Sequence, residues 1–172
     1  MISIMASEIR ILTEQDADSF LALRRAALRD APGAFLASPE DDFASSPTAN
    51  VRELLRPRPE SLVFGAFVPE LSGMLGFRRD TTLKAAHKAN LWGMFVLPAG
   101  RGRGLALQLM RTAIEHARML EGVASLHLCV SDAAPDAQRL YERVGFRTWG
   151  VELDAIRVAG RSLNDHHMSL TL

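Results

Sequence analysis

The sequence has little sulfur chemistry: one cysteine, Cys129, in 172 residues. A single thiol excludes an internal disulfide and fits a reducing compartment. There is no excess of either charge, since 20 Lys and Arg balance 20 Asp and Glu for a formal net charge of zero. That balance argues against bulk electrostatic binding to nucleic acid or to an anionic membrane, and neither is expected as a partner. No set of Cys and His has the spacing of a metal site, so no metal is expected. His166 and His167 are adjacent, point to opposite sides of a strand and make a poor chelate. The first residues lack a basic stretch followed by an apolar core, so no signal peptide is expected. No uninterrupted apolar run is long enough to span a bilayer. Internal repeats, low-complexity tracts and linkers are missing too. With 48% apolar residues, enough for a real core, the expectation is a cytoplasmic protein with one domain over residues 1–172.

What is present centres on residues 90–118. Residues 91–97 are apolar and aromatic, as a strand buried on both faces would be. Pro98 cannot donate to a sheet ladder, so the strand should stop there. Gly100, Gly102 and Gly104 then allow backbone angles closed to other residues. From Leu105 a helical period takes over, with Leu105, Leu109, Thr112, Ala113, Ile114, Ala117 and Leu120 recurring at three and four. Free N–H groups at that helix start, with the positive end of its dipole, make an anion site. Arg101 and Arg103 add fixed charge there. A Walker A loop would need Gly-Lys-Ser/Thr, which this turn lacks. A dinucleotide fingerprint would need a third glycine where Leu107 stands.

Around this centre, residues 1–7 read as a loose start and 8–12 as a short strand. Thr13 with Asp16 three residues on signals a helix start. Residues 14–29 read as that helix, with Ala17, Phe20, Leu21, Leu23, Ala27 and Leu28 on its apolar side and Pro32-Gly33 ending it. Residues 34–47 carry no clear period, but do carry Phe35, Phe43 and the acidic run Glu40-Asp41-Asp42. A second helix is expected over 48–55. Residues 61–68 and 73–79 read as paired strands joined by a hairpin loop, and 81–88 as a polar, basic surface connection. Then come a strand over 123–130, a helix over 134–144, a strand over 146–153, a loop or hairpin turn over 154–164 and a final strand over 167–172. This order describes a mixed α/β (α+β) fold in which helices cover a mostly antiparallel sheet.

The turn contains Arg-x-x-Gly-x-Ala at Arg101, Gly104 and Ala106. That resembles the pyrophosphate-binding signature of the GCN5-related N-acetyltransferase (GNAT) family. Leu140-Tyr141-Glu142-Arg143-Val144-Gly145-Phe146 resembles the same family's second signature, Leu-Tyr-Glu-x-x-Gly-Phe, at the expected spacing downstream. Two motifs in the right order are far more specific than either alone. The resemblance covers nearly the whole chain and is strongest over 89–150. It implies a sheet whose glycine-turn strand and next strand run parallel and splay apart, leaving a V-shaped cleft for a pantetheine arm. It implies acetyl-coenzyme A as co-substrate, with the pyrophosphate held by Arg101, Gly102, Arg103, Gly104, Leu105, Ala106 and Leu107. Met94, Phe95 and Val96 would line the arm by backbone pairing, as an added strand does. N–H groups near Phe95 and Val96 would stabilise the oxyanion of the tetrahedral intermediate. Tyr141, the only tyrosine, would be the catalytic acid, since a phenol can donate a proton to the leaving thiolate. Proteins of the family are often dimers, and no sequence feature decides whether this chain forms a homodimer.

Two positions depart from the family pattern. Many members have an asparagine seven residues before the tyrosine, where this chain has Ala134; Asp132 and Asp136 lie nearby. Some carry a glutamate base on the preceding strand, where this chain has Cys129, which in an apolar strand reads as inert core. No base is therefore assigned. A water chain, a backbone carbonyl, His87 or Glu152 could take the proton that an attacking amine must lose. The loop with Phe35, Phe43 and Glu40-Asp41-Asp42 reads as a solvated acidic loop before it reads as a cradle for a cationic amine. Lys84, His87 and Lys88 form a basic cluster facing phosphates, an acidic substrate or water. The expected function is direct transfer of acetyl from acetyl-coenzyme A to a primary amine of a small molecule or peptide. The alternatives are transfer of another acyl group, transfer to an O-linked acceptor, and a non-catalytic module that binds acyl-coenzyme A.

Overall fold

The computed structural model describes residues 7–45 and 47–172. Apart from Ser7, the loose start expected at residues 1–7 lies outside the described residues. Among those described, seven strands make one sheet in the order β1-β2-β3-β4-β5-β7-β6. They are β1 Glu8–Ile11, β2 Ser61–Phe67, β3 Leu71–Arg79, β4 Lys88–Val96, β5 Ser125–Ser131, β6 Arg147–Val158 and β7 Arg161–Thr171. Every neighbouring pair is antiparallel except β4 and β5. Four helices flank the sheet: α1 Ala17–Asp30, α2 Thr48–Leu55, α3 Leu105–Met119 and α4 Pro135–Arg143. This is the mixed, mostly antiparallel architecture expected from the order of elements. Among the described residues no helix is long and apolar enough to cross a membrane.

The period of two along the strands sorts the core into two layers. Leu62, Phe64 and Ala66 of β2 join Leu75 and Phe77 of β3 under α3. Val63 and Met74 turn to the opposite face, where Phe20, Leu21 and Ala27 of α1 and Val51 and Leu55 of α2 cover them. Helix α3 buries Leu105, Leu109, Met110, Ala113, Ile114 and Ala117, the stripe its sequence period marks. Its N-cap is Gly104, with no side-chain cap bond. With glycine at the cap, lacking that bond costs only about a few tenths of a kcal/mol. Burying each of Leu105, Leu109 and Met110 contributes about 1.5–3 kcal/mol. Packing therefore holds the helix, and its first-turn amides remain uncapped.

The parallel ladder between β4 and β5 has three pairs, Lys88↔Ser125, Ala89↔Leu126 and Asn90↔His127. Beyond Asn90 the strands part. On its other side β4 stays paired with β3, but the register slips: Met74 faces Phe95 while Gly76 faces Trp92. β4 thus fits an extra residue into the same span, a bulge that bends the strand. Gly93 sits in it with φ +66. Gly76 makes room for the neighbouring indole, since a Cβ there would lie 2.0 Å from Cε2 of Trp92.

Three differences from the expected boundaries matter most, beyond shifts of a few residues elsewhere. β3 starts at Leu71, inside the stretch assigned to a loop, and β4 starts at Lys88, at the end of the expected surface connection. The third difference is larger. Residues 154–164, expected as a loop or turn, are mostly strand: β6 runs to Val158 and β7 starts at Arg161. Ala159 and Gly160 make the turn, both with positive φ (48 and 74), as a two-residue hairpin of this hand requires. β6 is largely exposed, so it carries little of the apolar alternation that marks a strand. A bulge between Glu152 and Ile156, with Asp154 at φ 55, interrupts what alternation there is.

Gly76→Ala tests the close approach of β3 to Trp92. It is expected to destabilise the fold by about 1–3 kcal/mol, the range for overpacking. Gly150→Ala, whose Cβ would meet nothing within 4 Å, should stay within about 0.5 kcal/mol of the unmodified protein in urea unfolding.

Candidate functional site

The gap between β4 and β5 opens into two adjoining cavities. One, of about 530 Å3, lies towards α3 and α4 and is walled by Met94, Phe95, Val96, Ala106, Met110 and Tyr141, among others. The other, of about 960 Å3, lies over β5, β6 and β7 and is walled by Lys88, Cys129, Trp149, Glu152 and His167, among others. Phe35, Trp92, Gly93 and Cys129 border both. Beyond Asn90 the edge of β4 that faces β5 has no strand partner, so its backbone groups open into the gap.

The glycine turn stands at the mouth of the smaller cavity. Gly102 and Gly104 both have φ +75, and a Cβ on Gly102 would meet nothing within 4 Å. The turn is therefore open as well as left-handed. Gly100 departs from expectation: its φ is not positive. It is buried in a 3-10 turn, Pro98–Gly100, where a Cβ would come within 3.3 Å of Leu105 and Val96. Leu105 sends its side chain into the core, so it offers the site only its amide. Arg101 is not simply a free charge. Its Nε donates to the Val96 carbonyl at 3.1 Å, and its guanidinium lies 5.8 Å from the Phe95 ring centre. It thereby ties the turn to the end of β4. Arg103 is exposed. The uncapped amides and the two arginines fit a pyrophosphate chemically.

Helix α4 delivers Tyr141 to the wall of the smaller cavity. Ala137, Leu140 and Tyr141 lie along its inner face, and Tyr141 is 6% exposed. Its ring centre is 6.2 Å from that of Phe146. Burial pushes the phenol's pKa up, so the group stays protonated. Among the described residues no protein group hydrogen-bonds its hydroxyl. Ala134 lines the same cavity with an apolar side chain. Asp136 borders it but is paired with Arg139.

Cys129 is not core, contrary to expectation. Leu126, Leu128 and Val130 of β5 face inward, so Ser125, His127 and Cys129 take the opposite face, and Cys129 is exposed between the cavities. Its register partner on β7 is His167. Cys129 Sγ lies 3.1 Å from Nδ1 of His167, and His167 Nε2 lies 3.4 Å from Oε2 of Glu152 on β6. Partial burial, with the charges of Asp165 and Glu152, raises the thiol pKa. Burial also raises Asp165 and lowers His127, whose Nε2 is 2.9 Å from the Ser125 hydroxyl. Of the two side chains considered as base, Glu152 borders the larger cavity. His87 is exposed and borders neither, and Lys84 borders neither.

One pair at the site went unread in the sequence. Arg24 of α1 is 6% exposed and Asp42 is 4% exposed. Nη2 of Arg24 donates to Asp42 at 2.7 Å and Nε donates at 3.2 Å. The guanidinium sits over Phe35 at 4.9 Å and Phe43 at 5.0 Å. The aromatic residues and Asp42 of this loop therefore hold the chain's own cation, so Asp42 is not part of a solvated acidic loop. Asp41 is exposed and accepts the Ser38 N–H at 2.7 Å. Nη1 of Arg24 has no hydrogen-bond partner among the described residues, and a Cβ on Gly93 would lie 3.5 Å from it. The available signal was the position of Arg24, four residues after Phe20 on the apolar stripe of α1. A charge there needs a counter-charge, but three neighbouring acids were candidates.

Comparison with known proteins bears on this geometry. A model of the acetyltransferase (GNAT) family matches residues 20–146. Search of curated proteins gave no match. Among solved structures, a GNAT-family acetyltransferase from Streptococcus pneumoniae superposes with a TM-score of 0.83 at 19% identity, covering 97% of this chain and 100% of that one. The ribosomal-protein-alanine N-acetyltransferase of Brucella melitensis gives 0.81 at 22% identity, covering 96% and 99%. The yncA protein of Salmonella typhimurium, solved with its cofactor acetyl-CoA, gives 0.78 at 20% identity, covering 97% and 94%. At these identities the structures establish a shared fold.

Removing Asp42 would leave a buried guanidinium uncompensated. Asp42→Ala should cost about 3–5 kcal/mol in urea unfolding. Asp41→Ala, at an exposed turn, should cost far less. Equal losses would contradict the assignment of Asp42 as the buried partner.

Proposed function

The chain belongs to the acetyltransferase (GNAT) family, and we propose that it transfers acetyl from acetyl-coenzyme A directly to a primary amine of a small molecule or peptide. The observation that carries this reading is the parting of β4 from β5 after three paired residues. It leaves one cavity next to the phosphate-suited turn and a second reached from the other side. Donor and acceptor can then approach the same point from opposite directions. A solved neighbour that carries acetyl-CoA supports the donor. A neighbour named for N-acetylating ribosomal-protein alanine supports an amine acceptor. We further propose a cytoplasmic setting, where an exposed thiol such as Cys129 stays reduced.

In this reading the amides of Gly102 to Leu107, with Arg101 and Arg103, hold the pyrophosphate. The unpaired edge of β4 at Met94, Phe95 and Val96 pairs with the pantetheine arm. N–H groups near Phe95 and Val96 stabilise the charge that appears on the carbonyl oxygen as the amine attacks. The C–N bond forms and the C–S bond breaks. Tyr141 gives the departing thiolate its proton and is reprotonated from water. Its raised pKa keeps that proton in place until thiolate develops beside it.

Thiol release from acetyl-coenzyme A across amino acids, polyamines, aminoglycosides and peptide N-termini tests the assignment, with coenzyme binding followed by calorimetry. Release with one amine class is expected; binding without release on any of them would favour a sensing module. Tyr141→Phe should lower kcat by about 100-fold with the coenzyme Kd nearly unchanged, and unaltered turnover would remove Tyr141 from the mechanism. Gly104→Val forces a side chain onto φ +75, a strain of about 1–2 kcal/mol. It also fills the turn, so coenzyme affinity should fall by about tenfold or more.

A further inference from the structure

We propose that Cys129, His167 and Glu152 form a proton relay that takes the proton from the attacking amine, with Cys129 as the catalytic group at the substrate and His167 and Glu152 acting through it. The proposal rests on the acetyltransferase reading and supplies the base that this reading lacks. The three groups stand in line. Cys129 borders both cavities, at the point where donor and acceptor would meet. Sγ is 3.1 Å from Nδ1 of His167, and Nε2 is 3.4 Å from Glu152. A carboxylate can only accept, so Nε2 carries the hydrogen and Nδ1 is the free acceptor for the thiol S–H. β-sheet register keeps the first contact fixed, because Cys129 and His167 are direct partners on β5 and β7. The ring of Trp149 packs against His167 at 5.3 Å and walls its other side.

The step balances. The amine nitrogen gives a proton to Sγ while the proton already on sulfur passes to Nδ1. One N–H and one S–H bond break, and one S–H and one N–H bond form. The positive charge moves from the amine to the imidazole beside Glu152. The raised thiol pKa suits this part: the group carries a proton at neutral pH and is not poised as a thiolate nucleophile. Other ionisable groups line the cavity from each wall: Arg24 of α1, Arg78 of β3, Lys88 of β4, His127 of β5 and Asp165 of β7, with Asp41 and Asp80 in loops. Among the described residues no three His, Cys, Asp or Glu side chains converge to hold a metal. His127 is the competing base. It lies where β4 and β5 are still paired, and its Nε2 is already in contact with Ser125.

The experiment is the pH dependence of kcat/KM, measured with acetyl-coenzyme A and the best amine of the panel, for the unmodified protein and five variants. Cys129→Ala and His167→Gln should each lose about 100-fold near neutral pH. The deficit should shrink above the amine's own pKa, where the amine arrives neutral. Combining the two should cost no more than either alone, because they act as a unit. Cys129→Ser, which retains a proton-carrying hydroxyl, should recover part of the rate. The coenzyme Kd should be unchanged throughout. Full activity in Cys129→Ala, a deficit independent of pH, or a pH-dependent loss reproduced by His127→Gln would each overturn the relay. So would an acetyl group found on Cys129 by mass spectrometry after incubation with acetyl-coenzyme A alone, since that would make the thiol a nucleophile. No turnover by the unmodified protein on any amine would instead overturn the acetyltransferase reading, and the relay with it.

Discussion

β4 and β5 share three residue pairs and then separate, and the site follows from that separation. A parallel strand that stayed in register would satisfy the exposed edge of β4 and leave no cleft. Two features keep the strands apart. The bulge at Gly93 bends β4 away while β3 continues to hold its other side. Beyond the divergence, α4 packs Ala137, Leu140 and Tyr141 against the core beside the gap. The backbone groups left open on β4 would be costly in a sealed interior. Facing two cavities, they remain available to water or to a ligand.

The Arg24–Asp42 pair anchors the other side of the cleft. Buried ion pairs add little net stability once desolvation is counted, whereas losing one partner is expensive. What the pair contributes is position. It fixes the guanidinium between Phe35 and Phe43, and Phe43 meets Trp92 edge-on at 6.1 Å. Phe35 and Trp92 border both cavities. An irregular loop is thus pinned to α1 and β4 by one charge pair and an aromatic cluster. Arg101 makes a similar tie at the end of β4, from the glycine turn to Val96. The two arginines brace the same strand, one at its middle and one at its last residue.

The local parts of this arrangement were legible in the sequence. A strand, a glycine turn and an amphipathic helix over 90–118 are encoded by neighbours, and the structure has all three. The positions of Tyr141 on a helix and of Gly104 at a helix start are of the same kind. Long-range pairings were not legible. Cys129 and His167 are 38 residues apart, and His167 and Glu152 are 15 apart. Their meeting depends on β7 inserting between β5 and β6. That order was hidden because the exposed β6–β7 hairpin lacks apolar alternation and part of it was expected as loop. Cys129 was misread for a related reason. Its strand does alternate, but an apolar environment was assumed for both faces when only the face of Leu126, Leu128 and Val130 is buried. Arg24 shows a third limit: a charge on an apolar stripe announces that it needs a partner without saying which.

The proposed function requires that the gap between β4 and β5, with the turn at its mouth, receive acetyl-coenzyme A. Backbone amide hydrogen exchange, measured with and without the coenzyme, tests it most directly because it reports on individual amides. New protection is expected at residues 94–96 and 102–107, with β1 and β2 unchanged. Exchange unaltered at those residues, or protection gathered elsewhere on the molecule, would contradict it.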